Sequence, residues 1–214
     1  MSEGLFAVRG LSCMRGDKTL FAGLSLDLAP GEALHVRGPN GLGKTTLLRA
    51  LCGLSRPVRG EIRWRGEKVS DLGEDFTAEV AYVGHLNGIQ GDLTASENLR
   101  LAGRIFTRRG EEGLGARDAL ERVGLRAQSE RPARHLSQGQ KRRLALARLL
   151  VLRRPLWVLD EPFTALDVAS VASLSSLIGE HMAEGGLALV VSHQAFDLPG
   201  IRDFELAHYC RARK

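Results

Sequence analysis

Aromatic side chains are scarce in this sequence, at 5% of 214 residues. Cysteine is scarcer still. Cys13, Cys52 and Cys210 are far apart, odd in number and in no CxxC pair, which speaks against a disulfide scaffold and a zinc site. Reduced thiols in a cytoplasmic protein are the expectation. No window approaches the roughly 18 to 20 uninterrupted apolar residues that a spanning helix needs. The best stretches, Leu144–Leu152 and Leu187–Val191, are short and stop at arginines or polar residues. The opening MSEGLFAVRG contains no apolar run of signal-peptide length. Work at a membrane would therefore pass through a partner. Internal repeats, low-complexity tracts and linkers are missing too, so one domain over residues 1–214 is expected.

What is present is an ordinary globular mixture, 43% hydrophobic and 26% charged, with a formal net charge of +5 carried mostly by arginine. An anionic partner (nucleotide, nucleic acid or acidic headgroups) and a merely solvated arginine surface both account for that charge. Strand-like stretches at Leu5–Val8 and Leu24–Leu28 precede a third, Ala33–Arg37, which runs into a glycine-rich loop. Thr45–Leu54 reads as a helix stopped by Gly53 and Pro57, with strands following at Glu61–Trp64 and Val80–Val83. Thr94-Ala-Ser-Glu97 is a capping box opening a helix to about Phe106. Ala116–Val123 is a second helix, and Ser137-Gln-Gly-Gln140 opens a third over Gln138–Val151. The remainder alternates: strand Leu156–Leu159, helix Val168–Ala183, strand Leu187–Val191 and a final strand near Phe204–His208. This order predicts an α/β fold with a mostly parallel sheet covered on both faces and a helical insert near residues 87–150.

Two motifs carry chemistry. Gly38, Pro39, Asn40, Gly41, Leu42, Gly43, Lys44 and Thr45 fit GxxxxGK[ST] between a strand and a helix, and Thr46 continues into that helix. Such a loop wraps phosphates with backbone N–H groups, and the helix dipole favours the same anion. Lys44 would reach the β- and γ-phosphates, and the Thr45 hydroxyl would ligate Mg²⁺. The second motif is an apolar strand ending in Asp160 and Glu161. Strand ends border the ligand crevice of a parallel sheet, so Asp160 is placed to hold the metal and Glu161 to polarise an attacking water. Read alone, the two acids also suit the cap of the next helix.

Leu136-Ser-Gln-Gly-Gln140 resembles the LSGGQ signature of ABC ATPases, with Gln138 in place of the usual glycine. Thr164-Ala-Leu-Asp167 resembles their D-loop and His193 their switch histidine, all in family order over nearly the whole chain. The resemblance implies a P-loop NTPase of ABC type with an antiparallel β subdomain, hydrolysing ATP with Mg²⁺. It implies a head-to-tail homodimer with ATP sandwiched between Lys44, Asp160, Glu161 and His193 of one copy and Ser137, Gly139 and Gln140 of the other. Two positions besides Gln138 depart from the commonest pattern. Arg15 occupies the segment where an adenine-stacking aromatic is usual, and a cation can stack there instead. His85 stands where the Q-loop carries glutamine, and can contact the metal as a neutral ligand. With Leu93–Leu99 and Leu159–Asp167, these features resemble the cytochrome c biogenesis ATP-binding export subgroup. That resemblance implies a peripheral location on the cytoplasmic face of the inner membrane and integral membrane permease subunits as partners. The work done is then haem export or release of a haem-loaded chaperone. An ATPase of another ABC transporter is the alternative. No nucleic-acid partner is expected, because neither the long coiled coil nor the tandem domains of such ABC proteins occur. Residues His85–Arg109 are expected to form the groove in which the membrane partner docks. His35, His135, His181 and His208 have no neighbours at metal-ligand spacing and read as structural.

Overall fold

A computed structural model describes residues 5–107 and 113–210. Strands β1 (Phe6–Arg15) and β2 (Lys18–Leu28) form a hairpin, and β3 (Ala33–Arg37) leads to helix α1 (Lys44–Leu51). Next come β4 (Arg59–Trp64), β5 (Glu67–Lys68), the short helices α2 (Val69–Leu72) and α3 (Glu74–Thr77), and β6 (Val80–Val83). Helices α4 (Ala95–Phe106), α5 (Ala116–Arg122) and α6 (Gln138–Leu152) follow together. Strand β7 (Leu156–Asp160), helix α7 (Val168–Ala183), β8 (Leu187–Val191) and β9 (Ile201–Glu205) complete the order.

Two sheets result: an antiparallel one of order β2-β1-β4-β5, and a five-stranded one of order β6-β7-β8-β3-β9 whose pairs are all parallel. Strands β7 and β8 are buried at every position because both faces are covered. Their side-chain period of two divides each strand between two cores. Leu34, Val36, Val158, Leu189 and Val191 join the core shared with α1 and the antiparallel sheet. Ala33, Trp157, Leu159, Ala188 and Val190 join the core beneath α6 and α7. A third cluster, with Leu99, Leu120 and Leu144, binds α4, α5 and α6 into a helical layer.

The final strand ends earlier than expected. It stops at Glu205, and Leu206–Tyr209 form a 3-10 turn instead of the expected continuation to His208. The reason lies in its neighbour. β3 pairs with it only as far as Arg37↔Glu205, where the chain turns into the glycine-rich loop, so residue 206 has no strand to pair with. The first hairpin is longer than its apolar segments suggested, because bulges near Gly10 and Gly23 interrupt the alternation without ending the ladder. Helix α1 stops at Leu51, with Gly53 in the left-handed region (φ 73°).

The two capping boxes form as read. Thr94 Oγ1 accepts from Glu97 N at 3.1 Å, while the Glu97 carboxylate accepts from Thr94 N at 2.8 Å. That backbone donor, then the Thr94 hydroxyl, holds the Glu97 carboxyl below the usual carboxylate range. A lowered folded pKa means stability that is present at neutral pH and lost as pH falls through that pKa. We predict that Thr94→Ala lowers stability by about 1 kcal/mol, read as a melting-temperature drop of roughly 2–4 °C. The melting difference between wild type and Glu97→Gln should narrow on acidification below pH 4.5. A difference independent of pH would show that the carboxylate is not the cap.

Candidate functional site

The parallel register brings the motifs together. Val36 pairs with Val191, and Val191 with Asp160, so the residues after β3, β7 and β8 emerge side by side at the carboxyl edge of the sheet. After β3 comes the glycine-rich loop, after β7 Glu161, and after β8 Ser192 and His193. Gly38, Gly41 and Gly43 all have positive φ, at 142°, 78° and 106°, where side chains other than glycine's are strained. A Cβ on Gly43 would also stand 3.1 Å from Leu20 of β2. The hairpin that carries Arg15 therefore rests against the loop, and Arg15 itself is exposed beside its turn.

Lys44 is almost wholly buried. Its ammonium donates to Gly38 O at 2.7 Å and Pro39 O at 3.2 Å, and lies 3.0 Å from His193 Nε2. Burial pulls its pKa down, opposed by the negative charges of Glu161, Asp160 and Glu205. An ammonium has only donors, so Nε2 must accept from it and the ring's proton sits on Nδ1. Thr45 Oγ1 donates to Asp160 Oδ2 at 2.8 Å, and Asp160 is buried. Glu161 Oε2 accepts from His193 N at 3.2 Å, with Oε1 3.5 Å from Nε2 of the same residue. Lys44, Thr45, Asp160, Glu161 and His193 thus form one contiguous cluster.

The signature residues are outside that cluster. Ser137 Oγ accepts from Gln140 N, and Gln140 Oε1 accepts from Ser137 N, which closes the cap of α6. Gly139 faces the D-loop: a Cβ there would stand 2.7 Å from Ala165 O. His85 is exposed and makes no hydrogen bond or ion pair among the described residues. Of the histidines read as structural, His35 bridges Asp203 (3.0 Å) and Ser192 O (3.1 Å). His181 stacks on Trp157 at 3.9 Å, and burial lowers its pKa.

Arg142 is a residue that the sequence did not single out. It sits in the basic run Lys141-Arg142-Arg143, which gives no sign that the middle residue is 4% exposed. Its guanidinium donates to the carbonyls of Gly84 (2.8 Å), Asp160 (2.9 Å), Glu161 (2.8 Å) and Pro162 (3.1 Å), and to Asn87 Oδ1 (3.2 Å).

The ABC transporter family profile matches residues 21–164. Cytochrome c biogenesis ATP-binding export protein CcmA of Methylococcus capsulatus is 50% identical over 200 residues, covering 94% of this chain and 96% of the relative. The chain belongs to the ATP-binding subunits of ABC transporters. CcmA of Haemophilus influenzae, 42% identical over 203 residues, covers 95% of both chains. Among solved structures, the dimeric ATP-binding cassette MJ0796 in a post-hydrolysis state bound to ADP and Pi superposes with a TM-score of 0.75. It is 26% identical and each chain is covered to 88%. A putative ABC transporter ATP-binding protein from Pyrococcus furiosus shares the fold at a TM-score of 0.81, with 24% identity over 96% of this chain and 98% of that one. Membership makes the chain an ATP-binding, ATP-hydrolysing transport subunit.

The tautomer assigned to His193 is open to direct test. In nitrogen-15 NMR of nucleotide-free protein near pH 8, Nε2 should show the shift of an unprotonated ring nitrogen. A protonated Nε2 would mean that the Lys44 contact does not persist in solution.

Proposed function

We propose that this chain hydrolyses ATP in the cleft formed by Gly38–Thr46, Asp160, Glu161 and His193, and that two copies use this cycle to drive the membrane subunits of a cytochrome c maturation complex. The convergence of Lys44, Thr45, Asp160, Glu161 and His193 on one strand edge carries the reading. The 42–50% identity to the cytochrome c biogenesis proteins gives the biological setting.

Mg²⁺ suits the site by the chemistry of its donors. The Thr45 hydroxyl and the Asp160 carboxylate are hard oxygen groups only 2.8 Å apart. No group of three or more His, Cys, Asp or Glu side chains among the described residues is placed to hold a metal ion; Mg²⁺ usually keeps several waters and takes one or two carboxylates plus substrate phosphates. When bound, Mg²⁺ would be held by Thr45 and Asp160 and would supply neutralisation of the phosphate charge.

Every other role falls to side chains and backbone of this protein. The N–H groups of Gly41–Thr46 and the start of α1 wrap the phosphates, with Asn40, Pro39 and Leu42 shaping the loop. Lys44 exchanges the carbonyls of Gly38 and Pro39 for phosphate oxygens, which compensates its burial far better. Glu161 orients water and takes its proton, and His193 holds the γ-phosphate side of the cleft. Ser137, Gly139 and Gln140 of a second copy close it: their helix N-terminus presents a hydroxyl and backbone donors to the anion. Arg15 stacks over the base from the hairpin beside the loop. His85, exposed on the loop after β6, would contact the metal or donate to water.

No helix among the described residues is long and apolar enough to cross a membrane. A permease would dock at the groove of about 680 Å³ between β6 and α4, lined in part by Tyr82, Ile105 and Phe106. Leu86, Ile105 and Phe106 are 84%, 60% and 58% exposed, apolar area suited to a partner at the cytoplasmic membrane face. Arg109, the far limit of the expected docking segment, lies outside the described residues.

Glu161→Gln should lower the turnover number by at least about 10²-fold and leave ATP affinity within a few-fold. Unchanged hydrolysis would remove Glu161 from the role of base. Charge reversal at Arg104, on the exposed side of α4, should abolish stimulation by the membrane subunits and spare basal hydrolysis. Loss of ATPase activity in the isolated chain would contradict the docking assignment.

A further inference from the structure

Glu161 has φ of 52°, a left-handed conformation that a long-chain residue adopts only when its surroundings impose it. Three groups bond its backbone. Its N–H donates to Val191 O of β8 at 2.8 Å, and its carbonyl accepts from Arg142 Nη2 at 2.8 Å and, more weakly, from Thr164 N at 3.3 Å. The same nitrogen binds Asp160 O at 2.9 Å, and Arg142 Nε binds Pro162 O at 3.1 Å, so one planar group grips three consecutive carbonyls. The remaining nitrogen, Nη1, reaches in the other direction to Gly84 O and Asn87 Oδ1, on either side of His85 and Leu86.

We propose that Arg142 is a positioning residue for hydrolysis: it holds Glu161 in the conformation that aims its carboxylate at the cleft, and it makes that conformation depend on the loop Gly84–Asn87. The proposal rests on Glu161 being the base. The guanidinium fork is what permits this. Five donors on three nitrogens in a fixed plane can satisfy all five acceptors on these two segments at once, whereas the three donors of a lysine ammonium cannot. Burial makes the arrangement exacting, since Arg142 is 4% exposed and a buried cation needs its donors filled. A second arginine strengthens the loop side: Arg148, further along α6, donates to Asn87 O at 2.8 Å and Gly88 O at 3.1 Å. The base Glu161 and the loop that carries the exposed Leu86 are therefore bonded to opposite sides of one rigid group. A displacement of the loop must either move the carbonyl of Glu161 or break bonds of a buried guanidinium. Arg142 does not touch substrate, and its effect passes through Glu161.

The test is a double-mutant cycle on the full chain, with single-turnover hydrolysis of labelled ATP and binding of trinitrophenyl-ATP as separate readouts. Arg142→Lys should lower the hydrolysis rate by about ten- to a hundred-fold while the binding constant changes less than about three-fold. Combined with Glu161→Gln, it should add no more than about a two-fold further loss, because both act through one carboxylate. Asn87→Ala, which keeps the grip on the acid segment, should give a smaller rate loss, of about two- to five-fold, that also disappears behind Glu161→Gln. It serves if Arg142→Lys does not fold. Full activity in both variants, or losses that multiply with that of Glu161→Gln, would overturn the role of Arg142 and leave Glu161 as base. Wild-type hydrolysis in Glu161→Gln would overturn both.

Discussion

Val36, Val191 and Asp160 stand in one row across three parallel strands, and this register is the constraint on which the site depends. Shifting any one strand by a residue would turn its side chains to the opposite face. It would also withdraw a phosphate loop, an acid pair or a histidine from the common edge. The register is itself secured by burial on both faces, since β7 and β8 have no exposed position along their length. Hydrophobic packing thus fixes, to within a hydrogen bond, the distances between polar groups that are remote in sequence: Lys44 from His193, and Thr45 from Asp160.

Those polar groups are held in a state that an anion would change. Lys44 is buried, its charge opposed by desolvation and favoured by Asp160, Glu161 and Glu205. It rests on two carbonyls of its own loop. A triphosphate offers stronger, charge-assisted acceptors in the same place. The signature serine and glutamine of the same chain lie outside the cluster, bonded to each other at the cap of α6. In the proposed head-to-tail pair a second copy would supply donors from its own α6 N-terminus, and loss of the γ-phosphate would remove the charge that holds the copies together.

Much of this was legible in the sequence for a physical reason: phosphate chemistry demands glycines, a lysine and a hydroxyl at fixed spacing, and capping boxes are written in four consecutive residues. Thr94 with Glu97 and Ser137 with Gln140 close as their patterns require. Elements set by partners instead of local pattern were less visible. The end of β9 is decided by where β3 stops, and the length of the first hairpin by bulges that break the alternation. Arg142 was invisible for the same reason. Its neighbours Lys141 and Arg143 are partly exposed, and only the packing of α6 against β6 and β7 turns the middle residue inward.

The most direct measurement of the central claim, that each cleft is shared by two copies, pairs two inactive chains. One carries Lys44→Ala and the other Ser137→Arg, each with its own tag, and the doubly tagged assembly is isolated. In a head-to-tail pair both lesions fall in the same cleft and the other cleft is intact, so the mixed assembly should recover about half of the wild-type ATPase activity. Mixed assemblies no more active than either chain alone would contradict a shared site and confine the chemistry to a single copy.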